Sequence, residues 1–351
     1  MFSFLKLILF SLLLNPILVF GSSQIVIDSS DEKLNLISNS CNNLEIEYKA
    51  ISQWVTRVEG KINSHPMPSC VCEANICSID IKKTTTKFTQ AQQGKLNEFM
   101  GPNCYNSALV TAGILPHANY TSRVEMNFWM NSPLCREKDL SEEISPGDII
   151  AIKDNGQFYH GMVHISENLI FSKNGNSTNG HYYFDTQKSL YSDKGYDIKK
   201  ECERIPLNRD ENTNQCQRSV HIFSCQTWDD FIKDSELSPQ KKEILEDINT
   251  IDCKLSKHVF NQRIGLNKSH IEDAIITLQA LALKRGALAQ EDPDNPGYYK
   301  PAPRPQGYFD DVGRFGERPN NPKEKELFWE LVYNRAYSLG VQMNSILQNK
   351  K

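Results

Sequence analysis

Ser145-Pro146-Gly147-Asp148-Ile149-Ile150-Ala151-Ile152-Lys153-Asp154-Asn155-Gly156-Gln157-Phe158-Tyr159-His160-Gly161-Met162-Val163-His164-Ile165-Ser166 writes out a β-hairpin residue by residue. Pro146-Gly147 makes a turn, and the isoleucine-rich run behind it has the composition of a strand. Asp154-Asn155-Gly156 is a hairpin turn signal, and Phe158 to Ile165 is the return strand. Ser166-Glu167-Asn168 turns the chain again into Leu169-Ile170-Phe171-Ser172-Lys173-Asn174, a third strand, so the segment predicts an antiparallel meander. Side chains alternate along a strand with a period of two. His160, Met162 and His164 therefore share one face, and Ser172 and Asn174 share a face of the next strand.

Upstream stands Gly101-Pro102-Asn103-Cys104-Tyr105-Asn106-Ser107-Ala108-Leu109-Val110-Thr111-Ala112-Gly113. Gly101-Pro102 turns, Asn103 is a good N-cap, and Gly113 is a helix stop, which predicts a helix from Cys104 to Ala112. Tyr105, Ala108, Leu109 and Ala112 give it a buried face. Cys104 then lies in the first turn, where unpaired amides and the macrodipole favour an anion. A thiol placed there is a better nucleophile near neutral pH, and the same amides suit the oxyanion of an acyl-transfer intermediate. Such a thiol needs a base, usually histidine, and His160 follows in the meander.

A cysteine at a helix start, then Pro146-Gly147-Asp148 leading an aliphatic strand, then His160-Gly161-Met162-Val163-His164-Ile165 and a further strand, resembles the NlpC-type cysteine peptidases. These are a branch of the papain-like superfamily related to the CHAP amidases. The resemblance covers Gly101 to Asn174. It implies an α+β papain-like core in which Cys104 is the nucleophile, His160 the base, and a polar residue on the following strand the group that orients the imidazole. That third position falls at or near Ser172, where the family usually has His, Asn or Gln. Asn174, two residues on and on the same face, is chemically the better orienter, and His181 and His164 are weaker candidates. Asn103-Cys104-Tyr105 also replaces the family's common Asp-Cys-Ser form. The implied reaction is amide hydrolysis in a peptidoglycan stem peptide or another peptide substrate, with neither cofactor nor metal. A non-catalytic secreted or envelope binding protein on a papain-like scaffold is the alternative.

The rest of the chain is consistent with export. Lys6 is the sole charge before Asp28, and Leu7 to Phe20 is an apolar run broken by Ser11, Asn15 and Pro16. It is short for a membrane span and reads as a signal peptide over residues 1–21, with no later spanning segment. Ten cysteines fit a secreted or periplasmic, disulfide-forming protein. With 39 Lys and Arg against 43 Asp and Glu and 39% apolar residues, the chain has material for a core and no basic block for nucleic acid. Phosphate-loop, His-Glu-x-x-His and Gly-x-Ser-x-Gly motifs are absent.

Composition divides the mature chain into a cysteine-bearing region 22–85, a core 86–228 and a helical region 229–351 interrupted by a Pro- and Gly-rich linker 291–323. Residues 43–63 predict a helix. Cys70, Cys72 and Cys77 are spaced too tightly for the usual zinc ligand pairs and read as loop staples. Ser238-Pro239, Ser269 with Glu272, and Asn321-Pro322 start three C-terminal helices. Their apolar stripes read as core, with a protein-partner surface as the second reading. Eight flanking cysteines suffice for four bridges, which leaves Cys104 and Cys135 in the core. Cys135 is then an odd thiol, or pairs with a flanking cysteine, or forms a reversible lock with Cys104. Lys173 reads as solvated, and Asp148 as a turn residue bonded to its own backbone. Asn119, Asn176 and Asn267 match the glycosylation pattern.

Overall fold

A computed structural model describes residues 25–29, 34–60, 66–95, 102–174, 180–192, 196–203, 216–234, 238–254, 268–285, 289–291, 299–301 and 322–348. The expected signal peptide, the glycosylation patterns at Asn176 and Asn267 and most of the linker lie outside these residues. The protein is α+β, with antiparallel sheets.

The N-terminal layer is a four-stranded sheet in the order β1-β2-β4-β3, from β1 (Val26–Ser29), β2 (Leu34–Ser38), β3 (Val71–Glu73) and β4 (Ile76–Asp80). Between β2 and β3 runs α1 (Cys41–Glu59), capped by the Ser40 side chain and stopped at Gly60 in the left-handed conformation. Its face of Leu44, Tyr48, Ile51, Trp54 and Val55 is buried. This face packs on the N-terminal sheet and on the main sheet, so α1 joins the two layers. Trp54 Nε1 donates to Thr111 O at 2.9 Å, tying α1 to the end of the cysteine helix.

The main sheet has six strands in the order β5-β10-β6-β7-β8-β9. They are β5 (Cys135–Glu137), β6 (Ile149–Asp154), β7 (Gln157–Ser166), β8 (Leu169–Lys173), β9 (Tyr182–Asp185) and β10 (Arg218–Cys225). The expected meander is β6-β7-β8. Asn155 and Gly156 form its two-residue loop with φ of 49° and 76°, the left-handed pair that matches the sheet twist. Gly147 also has positive φ, and Asp148 Oδ2 accepts from Ser145 N at 2.7 Å, which closes the expected turn. Asp148 is fully buried, with Lys138 Nζ at 2.7 Å and an Arg57 Nη1 at 3.7 Å as its countercharges. The turn is thus held by β5's flank and by α1.

One face of this sheet packs on α1, α2 (Lys87–Gln92), α3 (Cys104–Thr111) and α4 (Arg123–Met130). The other carries Ile150, Ile152, Met162, Ile170, Val220 and Ile222. It is covered by Tyr191 of α5 (Gln187–Ser192) and by Tyr196 and Ile198. The C-terminal elements are α6 (Trp228–Asp234), α7 (Pro239–Asn249), α8 (Lys268–Leu283), the paired strands β11 (Ala289–Glu291) and β12 (Tyr299–Pro301), and α9 (Pro322–Gln348). That short hairpin lies within the stretch read as linker. The stripe residues Leu339, Met343 and Ile346 of α9 are core, and α9 packs on α8, α7 and α4. No helix among the described residues is long and apolar enough to cross a membrane.

Four disulfides are formed among the described residues: Cys41–Cys70, Cys72–Cys77, Cys135–Cys225 and Cys202–Cys216. Cys135 therefore pairs with a flanking cysteine, because β5 and β10 are neighbours and place the two residues opposite each other. This corrects the readings of Cys135 as an odd thiol or as a lock on Cys104. Among the described cysteines outside these bridges, Cys104 is free.

Candidate active site around Cys104

The site is built on α3, β7 and β8. Asn103 caps α3 as its sequence predicts: its Oδ1 accepts from Asn106 N at 3.0 Å, and its Nδ2 donates to Thr121 O at 2.6 Å. Cys104 follows as the first helical residue and is 4% exposed. The helix comes close to β7 because β7 has a glycine there. A Cβ on Gly161 would meet Ala108 Cβ at 3.3 Å and the Cys104 carbonyl oxygen at 3.7 Å. Tyr105 Oη pins the same contact by donating to Phe158 O at 2.7 Å.

Burial pushes the Cys104 thiol up, against the pull of the Lys173 ammonium and of the amides of Gly161, Tyr105 and Cys104 itself. The resting group is thus a thiol whose sulfur already faces donors suited to its anion. Lys173 corrects its sequence reading. It is 1% exposed, because β8 is an interior strand with both faces covered. Burial lowers its pKa while Cys104 opposes that shift.

His160 leaves β7 one residue before Gly161. Ile152 pairs with His160 while Lys153 pairs with Phe158, so Tyr159 is the extra residue of a bulge. Bulges re-aim neighbouring side chains. His160 Nε2 lies 2.8 Å from Ser172 Oγ on β8, so the imidazole takes Ser172 as its polar partner. Asn174 is engaged elsewhere, its Oδ1 accepting from Tyr196 Oη at 3.2 Å. The Tyr196 ring stacks on His160 at 4.8 Å between centroids, tilted by 32°. The imidazole is 2% exposed, and its pKa is lowered to about 3, first by burial and then by the Lys173 charge. It is neutral at pH 7.

Alternation turns His160 towards Met162 and Ser172, and Gly161 towards α3. Among the described residues no hydrogen bond joins the Cys104 sulfur to His160. Cys104 meets β7 at Gly161 from the α3 side, whereas His160 turns to the opposite face of the sheet, so the thiol–imidazole bond is not made. His164 lies further along the strand near Asp148 and Lys138, with its pKa lowered to about 4 mainly by burial. His181 is exposed, with Nδ1 3.1 Å from the Gly94 carbonyl. Neither contributes to the Cys104 environment.

Two residues of the site have little sequence signal. Lys173 sits in a strand whose residues are all buried, and continuous burial is invisible to a hydropathy pattern that expects alternation. Tyr196 reaches the site only through tertiary packing. Asn119, read as a glycosylation acceptor, is instead 1% exposed and bonded to Asn106 and Asp252. Among the described residues one cluster has the spacing of a metal site, Cys41, Cys70, Cys72 and Cys77 in the N-terminal layer, and all four are bridged. Comparison with protein-family models, curated proteins and solved structures finds no match.

Proposed function

We propose that the chain is an extracytoplasmic thiol hydrolase with a papain-like, NlpC-type core, which cleaves an amide bond in a peptidoglycan stem peptide through an acyl-enzyme on Cys104. The observation that carries this reading is the setting of one unbridged cysteine. It stands at the start of a capped helix, where nearby amides and the Lys173 charge favour its anion against burial. Gly161, against which α3 packs, is followed back along β7 by His160, whose imidazole is backed by a hydroxyl on the other face of the sheet. The four disulfides support the extracytoplasmic location.

In this reading the Nε2–H of His160 donates to Ser172, and substrate binding must bring the ring to the α3 side before its Nδ1 lone pair takes the thiol proton. Cys104 Sγ attacks the carbonyl carbon, and the charge on the carbonyl oxygen is met by the amides at the start of α3 and by Lys173. The imidazolium returns its proton to the leaving amine, and the C–N bond breaks. Water then attacks the thioester with His160 as base, which releases a carboxylate and restores the thiol. Substrate must displace the Tyr196 ring from the imidazole. Hydrogen bonds of catalytic dyads often tighten only when substrate binds.

The burial of Cys104 and His160 on opposite faces of the sheet favours a second reading, a binding protein on the same scaffold. Two measurements separate them. Incubation of purified sacculi with the protein releases muropeptides if it is a hydrolase, and Cys104→Ala abolishes that release. Unchanged release by Cys104→Ala refutes the mechanism. Iodoacetamide at pH 7 modifies Cys104 rapidly and selectively in the enzyme; an inert Cys104 together with intact sacculi establishes the scaffold.

A further inference from the structure

The sulfur atoms of Cys41, Cys70, Cys72 and Cys77 all lie within 4.8 Å of one another, although they belong to two separate bridges. Cys41 Sγ is 3.4 Å from Cys72 Sγ, a sulfur of the other bridge. That is contact distance for thiol–disulfide exchange, which proceeds by attack of a thiolate on a disulfide sulfur. The four positions also differ in kind. Cys72 is exposed, Cys41 and Cys70 are half-buried, Cys77 is buried, and Cys41 is the first residue of α1.

The place of Cys41 gives the exchange a direction. α1 is long, its first turn holds no acidic residue, and the Ser40 side chain occupies the amide of Asn43. A thiolate on Cys41 is stabilised by the remaining amides and the macrodipole, and lower-pKa thiols leave faster. Attack of an outside thiol on the half-buried Cys70 is the one that releases Cys41 from its bridge.

We propose that the two N-terminal disulfides form one redox-active unit that exchanges electrons with an external dithiol through Cys41. A thiolate of the dithiol attacks Cys70 Sγ, and the Cys41–Cys70 bond breaks to release the Cys41 thiolate. The second thiol of the partner attacks its own sulfur in the mixed disulfide. This frees the Cys70 thiol and leaves the partner as a disulfide, oxidised by two electrons. The Cys41 thiolate then attacks Cys72 Sγ, forms Cys41–Cys72 and expels the Cys77 thiolate, which takes up a proton. The second exchange is redox-neutral. The two-electron-reduced unit therefore carries a Cys41–Cys72 bridge with thiols at Cys70 and Cys77.

The test is graded reduction of the full-length chain with dithiothreitol at pH 7, acid quenching, alkylation with N-ethylmaleimide and mass mapping of the bridges. The expected first product keeps Cys135–Cys225 and Cys202–Cys216, contains Cys41–Cys72, and is alkylated at Cys70 and Cys77. Partly reduced species that contain only Cys41–Cys70 or Cys72–Cys77, with no Cys41–Cys72, overturn the proposal. Cys70→Ser provides a route without reductant. Here Cys41 begins as a thiol and is expected to hold Cys41–Cys72, with alkylation at Cys77; an intact Cys72–Cys77 with alkylation at Cys41 overturns the proposal. One equivalent of Zn2+ bound by the reduced chain, with all four thiols protected from alkylation, also overturns it and assigns a tetrathiolate metal site.

Discussion

Arg335 is the most consequential buried charge outside the candidate site. It is 1% exposed on α9, and its Nη2 reaches Glu125 Oε1 on α4 at 3.1 Å and Asp252 Oδ1 at 2.7 Å. Its Nη1 also donates to Ile251 O at 2.9 Å. Arg335→Met keeps the volume of the side-chain stem and removes the charge, leaving two buried carboxylates without a cation. Breaking a buried pair in this way costs about 3–5 kcal/mol, far more than the pair contributes over an apolar replacement. The expected loss at pH 7 is about 4 kcal/mol, read from urea unfolding followed by tryptophan fluorescence.

The sign of the pH dependence follows from Glu125, whose carboxyl burial already pushes up even with Arg335 in place. A raised folded pKa means that stability is fully present below the unfolded carboxyl value and is lost as pH rises through the folded one. Loss of Arg335 raises the folded value further, so the penalty shrinks as pH falls from 7 towards 5. Each pH unit between the two values recovers about 1.4 kcal/mol. Glu125→Gln in the Arg335→Met background removes one orphaned charge and restores part of the loss. A difference below about 1 kcal/mol at pH 7, or one independent of pH, would refute the assignment of this cluster as a paired buried charge. The cluster also reaches the cysteine helix. Asp252 Oδ1 accepts from Asn119 Nδ2 at 3.1 Å, and Asn119 Oδ1 accepts from Asn106 Nδ2 at 2.9 Å.

Acid is expected to unfold the protein through its buried histidines. His160 and His164 have folded pKa values lowered from 6.5 to about 3 and about 4, so their contribution is present above pH 6.5 and is lost as pH falls through the folded values. At pH 5 each costs about 2 kcal/mol relative to pH 7, measured as a drop in urea midpoint; a midpoint that does not move between pH 7 and 5 contradicts their burial as neutral groups. Gly340→Ala, normally stabilising in a helix by about 1 kcal/mol, is expected to destabilise here by about 1–3 kcal/mol. The new Cβ would lie 2.4 Å from Phe128 Cζ, and thermal unfolding reports the sign. Asn103→Ala removes the cap of α3 and is expected to cost about 1 kcal/mol. It also changes the rate of Cys104 alkylation, whereas an unchanged rate and stability would mean that the cap does not set the thiol's environment.

Much of the local framework was legible in the chain itself. Asn103 and Gly113 bracket a helix, and Asn155-Gly156 closes a hairpin. Pro146-Gly147-Asp148 makes a turn whose aspartate bonds its own segment. These signals act within a few residues, through φ preferences, side-chain caps and the period-two alternation that puts His160 and Met162 together. The β1-β2-β4-β3 sheet carried no comparable signal, since its strands are short and pair across α1. The bridge partners were equally silent. The Cys135–Cys225 pairing depends on β5 and β10 being neighbours, which is settled ninety residues apart in the chain.

Sequence alone determined that Cys104 starts a capped helix and that His160 lies on the second strand of a meander, because caps, turns and alternation are short-range physics. Tertiary structure decided what surrounds them. It gave Ser172 to the imidazole, left Asn174 to Tyr196, buried Lys173 near the thiol, and set the tyrosine ring on the histidine. It also brought four cysteines of the N-terminal layer into mutual contact. Strand order and bulge position, and with them the desolvation that moves every pKa in the site, arise only when distant segments pack together, so no local pattern in the chain encodes them.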